Sequence, residues 1–475
     1  MAALVLLTEQ TALGFTLIAP ALIGFGAEYQ TDQVIWMITI YTLVGSVTTP
    51  IIGKLGDRYG KRRILITCAL LAATGSAVSA LAPTFAIVLV GRGLSGVSGA
   101  FLPLTFALMR DVFPERYRSL SISIATNGVG VVTIAGPFLA GYLIDNISLD
   151  SVFWFTGILS LVGALGTIAL VPESPVRNTA RIDLVGAAGL MLGIFLIMLG
   201  ISQISQWDFV DIRTFAVLGG GVVVLAAWWR WESHTSEPFI DTSLLTSRPI
   251  GSIILAYGLA VASTAVMGSY LPQMLQTPRG VGGDYGFGLS ATGFARYAIP
   301  AGILLVLSGI FVGLTAKRFG YRIFLIVGPL FFAFGAIGLA FFTTQPWMPI
   351  VFYSITGFGA VVYAAGPSLL MLTSPAAVRG ITAAMMGSVG GVLTSSFTQA
   401  SGLILNKNVA VVVQGYPAYT GKGFTLVFLV AAAMAIAASV VALSIPRTEK
   451  QVHSQRAEEA LVVIADDLDS SRARL

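Results

Sequence analysis

The chain has 475 residues, 56% of them hydrophobic and only 10% charged, with a mean hydropathy of +0.86 and a net charge of +5. A soluble domain carries roughly 25% charged residues, so this surface cannot be coated for water and must largely face lipid. One cysteine, Cys68, and two histidines, His234 and His453, argue against a disulfide framework, a His/Cys metal centre and most Ser-His chemistry; no cofactor, metal or catalytic residue is expected.

In chain order, apolar runs of about 20 residues, the length that crosses a hydrocarbon core, fall near 3–25, 34–53, 63–82, 85–109, 120–144, 152–171, 184–204, 212–230, 250–271, 291–313, 322–342, 348–372, 381–405 and 424–445. The first has no basic stretch ahead of it and continues past Pro20, so it reads as a span rather than a cleaved leader. Lipid offers no partner to a bare backbone, so the runs must be helices; they do not alternate as barrel strands do. The predicted fold is an all-α polytopic membrane protein with about fourteen transmembrane helices. Its 53 glycines suit helices that approach through small residues.

Lysine and arginine set the orientation. They crowd alternate loops, from Lys54–Arg63 through Arg110–Arg118, Arg177–Arg181 and Lys317–Arg322 to Arg379, whereas the other set of loops holds only Arg213, Arg279, Lys407 and Lys422. Both termini are therefore expected on the cytoplasmic side of a bacterial-type plasma (inner) membrane. The positive balance is an orientation signal, and no nucleic-acid partner is needed to explain it. The tail 447–475 is polar and mixed in charge, with acids at 466–469, and reads as a solvated helix or a disordered end.

The chain repeats itself. Gly53, Arg58, Tyr59, Gly60 and Arg62 match Gly313, Arg318, Phe319, Gly320 and Arg322 at a shift of 260, and Gly96, Pro114 and Arg118 match Gly357, Pro375 and Arg379 at a shift of 261. The expected organisation is a six-helix bundle over 1–171, a linker with two inserted helices over 172–248, a second six-helix bundle over 249–446 and a tail over 447–475. Internal repeats of this kind are the architecture of secondary transporters, with the site between the halves. Charge is not repeated: Glu9, Asp57 and Arg92 map onto Ser269, Lys317 and Tyr353. Ionisable chemistry is concentrated in the first half.

The segment Gly53-Lys-Leu-Gly-Asp57-Arg58-Tyr-Gly60-Lys61-Arg62 resembles the signature between spans 2 and 3 of the major facilitator superfamily. Gly91-Arg92-Gly93 through Gly96 resembles that family's buried-arginine motif. The stretch Gly128 to Gly141, with Gly136-Pro137, resembles the span-5 motif of drug/proton antiporters, and Val171-Pro172-Glu173-Ser174 the close of span 6. With fourteen spans, the chain resembles the fourteen-spanner drug/proton antiporter branch. That branch usually has an aspartate in span 1, where this chain has Glu9 slightly earlier relative to Pro20, and a glycine pair where this chain has Ala140-Gly141. The resemblance implies a major facilitator fold and proton-coupled efflux. It also implies a conformational latch at Gly53, Asp57, Arg58, Gly60, Lys61 and Arg62, and a leak seal at Gly128, Gly136, Pro137 and Gly141.

Read from the residues alone, the glycines at 53, 56 and 60 permit a tight turn, Asp57 can accept charge-assisted hydrogen bonds, and Arg58, Lys61 and Arg62 sit at the lipid headgroups. Glu9 and Arg92 each lie about two turns inside a span, where a charge costs at least roughly 2.5–3.5 kcal/mol and faces a cavity or partner. Glu9 is the candidate proton carrier and Arg92 its companion. The rival readings are a carboxylate snorkelling to the interface and an arginine tied to backbone carbonyls. In span 5, Gly128, Val132, Gly136 and Ala140 recur every four residues beside the kinking Pro137. Polar or aromatic residues that could line a cavity are Gln10, Trp36, Tyr41, Asn127, Tyr257, Gln273 and Gln399; each also fits a helix–helix contact. No nucleotide-binding loop occurs, so the energy source is a gradient, with H+ the expected coupling ion. The expected substrate is small and hydrophobic or amphipathic, with lipid as the alternative, moved by a monomer among membrane lipids. A lipid exporter, a proton/solute symporter and a transport-dead sensor remain as alternatives.

Overall fold

The computed structural model describes residues 1–175, 183–207, 211–236, 238–375, 378–413 and 416–446. The tail 447–475 and Arg177 and Arg181 lie outside the described residues, as do the side chains of Asn127 and Gly128 within their helix.

Among the described residues, twelve helices are long and apolar enough to cross a membrane. They are α1 (Ala2–Tyr29), α2 (Trp36–Tyr59), α3 (Lys61–Ala80), α4 (Phe85–Val112), α6 (Ser151–Leu170), α7 (Leu184–Trp207), α8 (Ile212–Glu232), α9 (Arg248–Gln276), α10 (Ala291–Phe319), α11 (Tyr321–Phe341), α12 (Trp347–Thr373) and α14 (Gly421–Leu443). Two more, α5 (Glu115–Asn146) and α13 (Arg379–Asn406), run 32 and 28 residues. At about 1.5 Å per residue both outreach the hydrocarbon core, and they complete the fourteen expected. Most helices run several residues past the apolar stretch, because backbone pairing continues into the headgroup region. One element departs from an all-α fold. Val409–Val413 (β1) and Tyr416–Tyr419 (β2) pair antiparallel between α13 and α14, where a valine run with high strand propensity follows the helix end.

Packing repeats with the sequence. In the first half α1 packs on α5 and α6, α3 on α4 and α6, and α2 on α4; in the second half α9 packs on α13 and α14, α11 on α12 and α14, and α10 on α12. Each contact of the first set has its counterpart eight helices later. The halves meet along two seams, α2 with α13 and α5 with α10, which the same relation exchanges. The inserted helices α7 and α8 pack on each other, and α7 also lies against α2 and α13.

The signature segment corrects one expectation. It is not a loop with three turn glycines: α2 stays helical to Tyr59 and α3 begins at Lys61. Only Gly60 turns, at φ 118°, and its counterpart Gly320 turns at φ 75°. These are conformations that a Cβ disfavours. The face carrying these two turns is called the basic face below.

Candidate functional site

Glu9 sits two turns into α1 with 9% of its surface exposed. Its Oε1 lies 3.4 Å from the Thr8 hydroxyl, and Oε2 has no hydrogen-bond partner among the described residues. The next residue, Gln10, is 1% exposed with its Oε1 also unpartnered, and so is the buried hydroxyl of Thr105 on α4, the helix beside α1. A buried acceptor without a donor costs about 1–3 kcal/mol. Native structures hold few such groups, and those few call for a functional or solvent explanation. Glu232, at the end of α8, is a second buried acid; its Oε1 accepts the Ile240 N–H while Oε2 is unpartnered.

Arg92 is buried on α4 and does not meet Glu9. Its Nε donates to the Met37 carbonyl and its guanidinium NH2 to the Gly14 carbonyl, both at 2.9 Å, and its Cζ lies over the Tyr41 ring, 4.3 Å from the ring centroid. The Tyr41 hydroxyl in turn pairs with Ser98 at 2.7 Å and donates to the Thr11 carbonyl at 3.2 Å. A side chain on Gly14 would collide with that hydroxyl. Arg92 therefore ties α1, α2 and α4 together through backbone carbonyls. Gly14 is five residues beyond Glu9 on α1, so the tie and the carboxylate share one stretch of helix.

On the basic face, Lys61 is not at the headgroups as expected but 3% exposed. Its Nζ lies 2.9 Å from Asp57 Oδ1 and 3.0 Å from Asp111 Oδ2, at the end of α4. Two carboxylates draw the ammonium inward and satisfy it there. The Ser174 hydroxyl donates to Asp111 at 2.6 Å. Glu173 accepts the first free N–H groups of α3, from Arg62 at 2.9 Å and Arg63 at 3.2 Å, which caps that helix from a distant segment. Arg62 reaches the last carbonyls of α6, at Thr167 and Ile168. Arg58 lies over the neighbouring Tyr59 ring, and nothing stands within 4 Å of a Cβ built on Gly53.

In α5, a Cβ on Gly136 would stand 2.8 Å from the Thr16 Cγ2 of α1, whereas one on Gly141 would stand 2.5 Å from the Thr292 Cα of α10. Pro137 lies between these contacts, inside the helix. Gly141 is thus where the halves touch backbone to side-chain hydrogen.

The cavity candidates divide. Gln399 accepts from the Thr39 hydroxyl across the α2–α13 seam at 3.2 Å. Trp36 packs 5.7 Å from Phe195 of the inserted α7, and Tyr41 belongs to the Arg92 tie. Tyr257 packs edge-on against Tyr363 at 6.3 Å, and the Gln273 amide bonds its own helix at Ser269. Of these, only Gln10 adjoins Glu9 with an unpartnered atom.

Residues 4–398 match the sequence model of the Major Facilitator Superfamily. The chain belongs to this superfamily. Similar curated proteins include the tetracenomycin C resistance and export protein of Streptomyces glaucescens, 25% identical over 79% of this chain and 69% of that protein. The multidrug efflux pump LfrA of Mycolicibacterium smegmatis is 28% identical over 71% of this chain and 65% of that protein. Multidrug resistance protein 3 of Bacillus subtilis is 23% identical over 85% and 77%. Among solved structures, a peptide transporter POT in complex with sulfate superposes with a TM-score of 0.67 at 16% identity, covering 94% of this chain and 93% of that one. The human organic anion transporter MFSD10 does so at 0.60 and 15%, covering 93% and 98%. At these identities the structures speak for the fold alone.

This major facilitator is a multi-pass membrane transporter and not an enzyme. Its basic-face network holds three residues that sequence reasoning had not placed there as partners: Asp111, Glu173 and Ser174. The Val171-Pro172-Glu173-Ser174 motif carried the only signal, and its role follows once Glu173 is seen on the first turn of α3.

Proposed function

We propose that this major facilitator is a proton-coupled exporter of hydrophobic or amphipathic compounds, drugs included, in the fourteen-span drug/proton antiporter branch. The observation that carries the reading is the Glu9 carboxylate, enclosed in the first half with one oxygen unpartnered. A carrier coupled to protons needs a group that gives up and regains a proton inside the protein. Among the described residues no cation pairs with Glu9 to hold it ionised. The relatives named for efflux and resistance support export of such compounds. In this reading the transporter is a monomer without a cofactor, embedded in the lipids of a bacterial inner membrane. The basic face and both termini are cytoplasmic, the Asp57 segment is a conformational latch, and Arg92 holds α1 in place around Glu9.

The test uses purified protein in liposomes with an imposed pH gradient, offered amphipathic dyes and labelled phospholipids. Substrate-dependent proton movement with dyes alone identifies a drug exporter; movement with phospholipids alone favours the lipid reading. Glu9→Gln keeps the shape and removes titration, so it should abolish uphill export and spare downhill exchange. Uphill export by Glu9→Gln would place the carrier elsewhere.

A further inference from the structure

The described hydrogen bonds that join the two halves run from the face opposite the basic one to the middle of the helices. Along the α2–α13 seam they are Asn406 Nδ2 to Asp32 Oδ2 at 3.1 Å, Thr39 to Gln399, Thr42 with Ser395 at 2.7 Å, and Ser388 to the Ser46 carbonyl at 2.8 Å. Along the α5–α10 seam, the Thr292 N–H donates to Asp145 Oδ2 at 2.9 Å. The Gln276 amide adds a bond from α9 to the Pro20 carbonyl at 3.2 Å.

At the far end of each seam stands one aspartate of the first half, taking a hydrogen bond from the second. Asp145 is the more elaborate of the two. It sits on the last turn of α5 and faces the first turn of α10, where the Ala291 N–H and the Ser290 and Thr292 hydroxyls also lie within its reach. The first N–H groups of a helix have no partner within it and carry a partial positive charge. Ser290, the residue that caps α10, satisfies the Gly293 N–H from the same half; Asp145 satisfies Thr292 from the other half. One turn back on α5, Gly141 presses against the Thr292 backbone, which seats the carboxylate.

We infer that Asp145 and Asp32 are the paired locks of the outer gate, each closing one seam by accepting a hydrogen bond from the opposite half, and that both bonds must break for the cavity to open outward. Asp145 caps α10 only while the halves are closed at this end. The bond lies exposed, so water takes the place of the carboxylate on separation, and the net advantage of the bond over water favours the closed state until substrate or a proton elsewhere offsets it. Both are positioning residues: they hold α5 against α10 and the α2 entry against α13, and touch no substrate. Which face is outside rests on the orientation proposed above; the lock itself does not.

The experiment places spin labels on cysteines at Tyr142 and Arg296, at the ends of α5 and α10, and measures their distance distribution by pulsed electron resonance in lipid nanodiscs. Cys68 is buried and stays in place. Asp145→Ala should raise the long-distance population about 10-fold, with Asp145→Asn, which keeps one acceptor, giving a smaller rise. Labels at Gln33 and Asn408 should respond in the same way to Asp32→Ala. If Asp145→Ala does not insert, the isosteric Asp145→Asn carries the comparison. Distributions that match the parent protein for both Asp145 variants would overturn the assignment. Because the readout needs no substrate, a failure of ethidium export in liposomes would count against the export reading and leave the lock standing. Distance changes that occur while the α5–α10 end proves to be cytoplasmic would reverse the gate's side and overturn its designation as the outer one.

Discussion

Arg62 and Arg322, 260 positions apart in the chain, do the same work. Arg62 opens α3 and donates to the Thr167 and Ile168 carbonyls at the end of α6; Arg322 opens α11 and donates to the Leu443 carbonyl at the end of α14, at 2.8 Å. Each ties the start of one helix to the finish of another in its own half. A helix end with unfilled carbonyls is satisfied by an arginine that also complements its negative pole.

Removing these ties should weaken each half separately. Hydrogen bonds to a charged donor contribute roughly 1.5–3 kcal/mol, less where water competes. Arg62→Ala, which loses two carbonyls, is expected to lower the thermal midpoint of the purified protein more than Arg322→Ala, which loses one. The double variant should be close to additive, because the sites share no partner. A melt in which Arg322→Ala is the more damaging would contradict this.

The Lys61 network predicts an order of severity. Asp111 is 6% exposed and Asp57 is 42% exposed, though both contact Lys61. Asp111→Ala strands a buried ammonium beside a partner that water already shares, whereas Asp57→Asn leaves the buried pair intact. Breaking a buried pair costs about 3–5 kcal/mol. Asp111→Ala should therefore reduce folded yield in membranes, and Asp57→Asn should insert normally yet transport poorly. Fluorescence size-exclusion profiles and uptake assays on the same samples separate the two. Normal transport by Asp57→Asn would remove it from the mechanism.

Arg92→Lys is not a conservative change here. The guanidinium serves two carbonyls on two helices and stacks on Tyr41 at once, a geometry that an ammonium cannot match. Transport is expected to fall at least about 10-fold for a loss of roughly 1.4 kcal/mol or more. Tyr41→Phe keeps the ring and loses only the Ser98 and Thr11 bonds, so it should be milder. Initial rates of dye export for both variants at matched expression give the comparison; equal rates for Arg92→Lys and the parent would discard the tie.

The two α5 glycines should differ. An added methyl at Gly136 meets the end of a threonine side chain, which can turn away; at Gly141 it meets helix backbone, which cannot. Overpacking of this kind costs about 1–3 kcal/mol. Gly141→Ala should impair the closed state and transport, and Gly136→Ala should be tolerated. Proton leak into liposomes at zero substrate measures this directly. A leak that rises with Gly136→Ala alone would reverse the assignment.

Hydropathy made the spans legible, and the depth of Glu9 and Arg92 followed from counting helical turns. The Gly60 and Gly320 turns could be read as well, because a glycine at each helix break recurs at the repeat distance. Burial of Lys61 could not be read, since its partner Asp111 lies at the end of another helix and a basic loop suggests solvent. The cap that Glu173 places on α3 was hidden for the same reason. Gly136 and Gly141 looked alike in sequence because spacing along one helix does not say which neighbour each faces. The tie of Arg92 to backbone carbonyls was one of the two readings open in the sequence; which carbonyls it takes was illegible, because every residue has one.

The placement of α7 makes the two seams mechanically unequal. It rests on α2 from one half and α13 from the other, with Trp36 against Phe195 and Gln33 bonded to Gln203. Parting α2 from α13 must also shear α7 off at least one of them, and lipid tails must flow into the space. At the α5–α10 seam the segment that touches both helices is Ala19–Ala21 in the middle of α1, a helix of the first half, whereas α7 belongs to neither half. A molecule strapped along one edge by a helix of neither half is braced there in a way that its other edge is not.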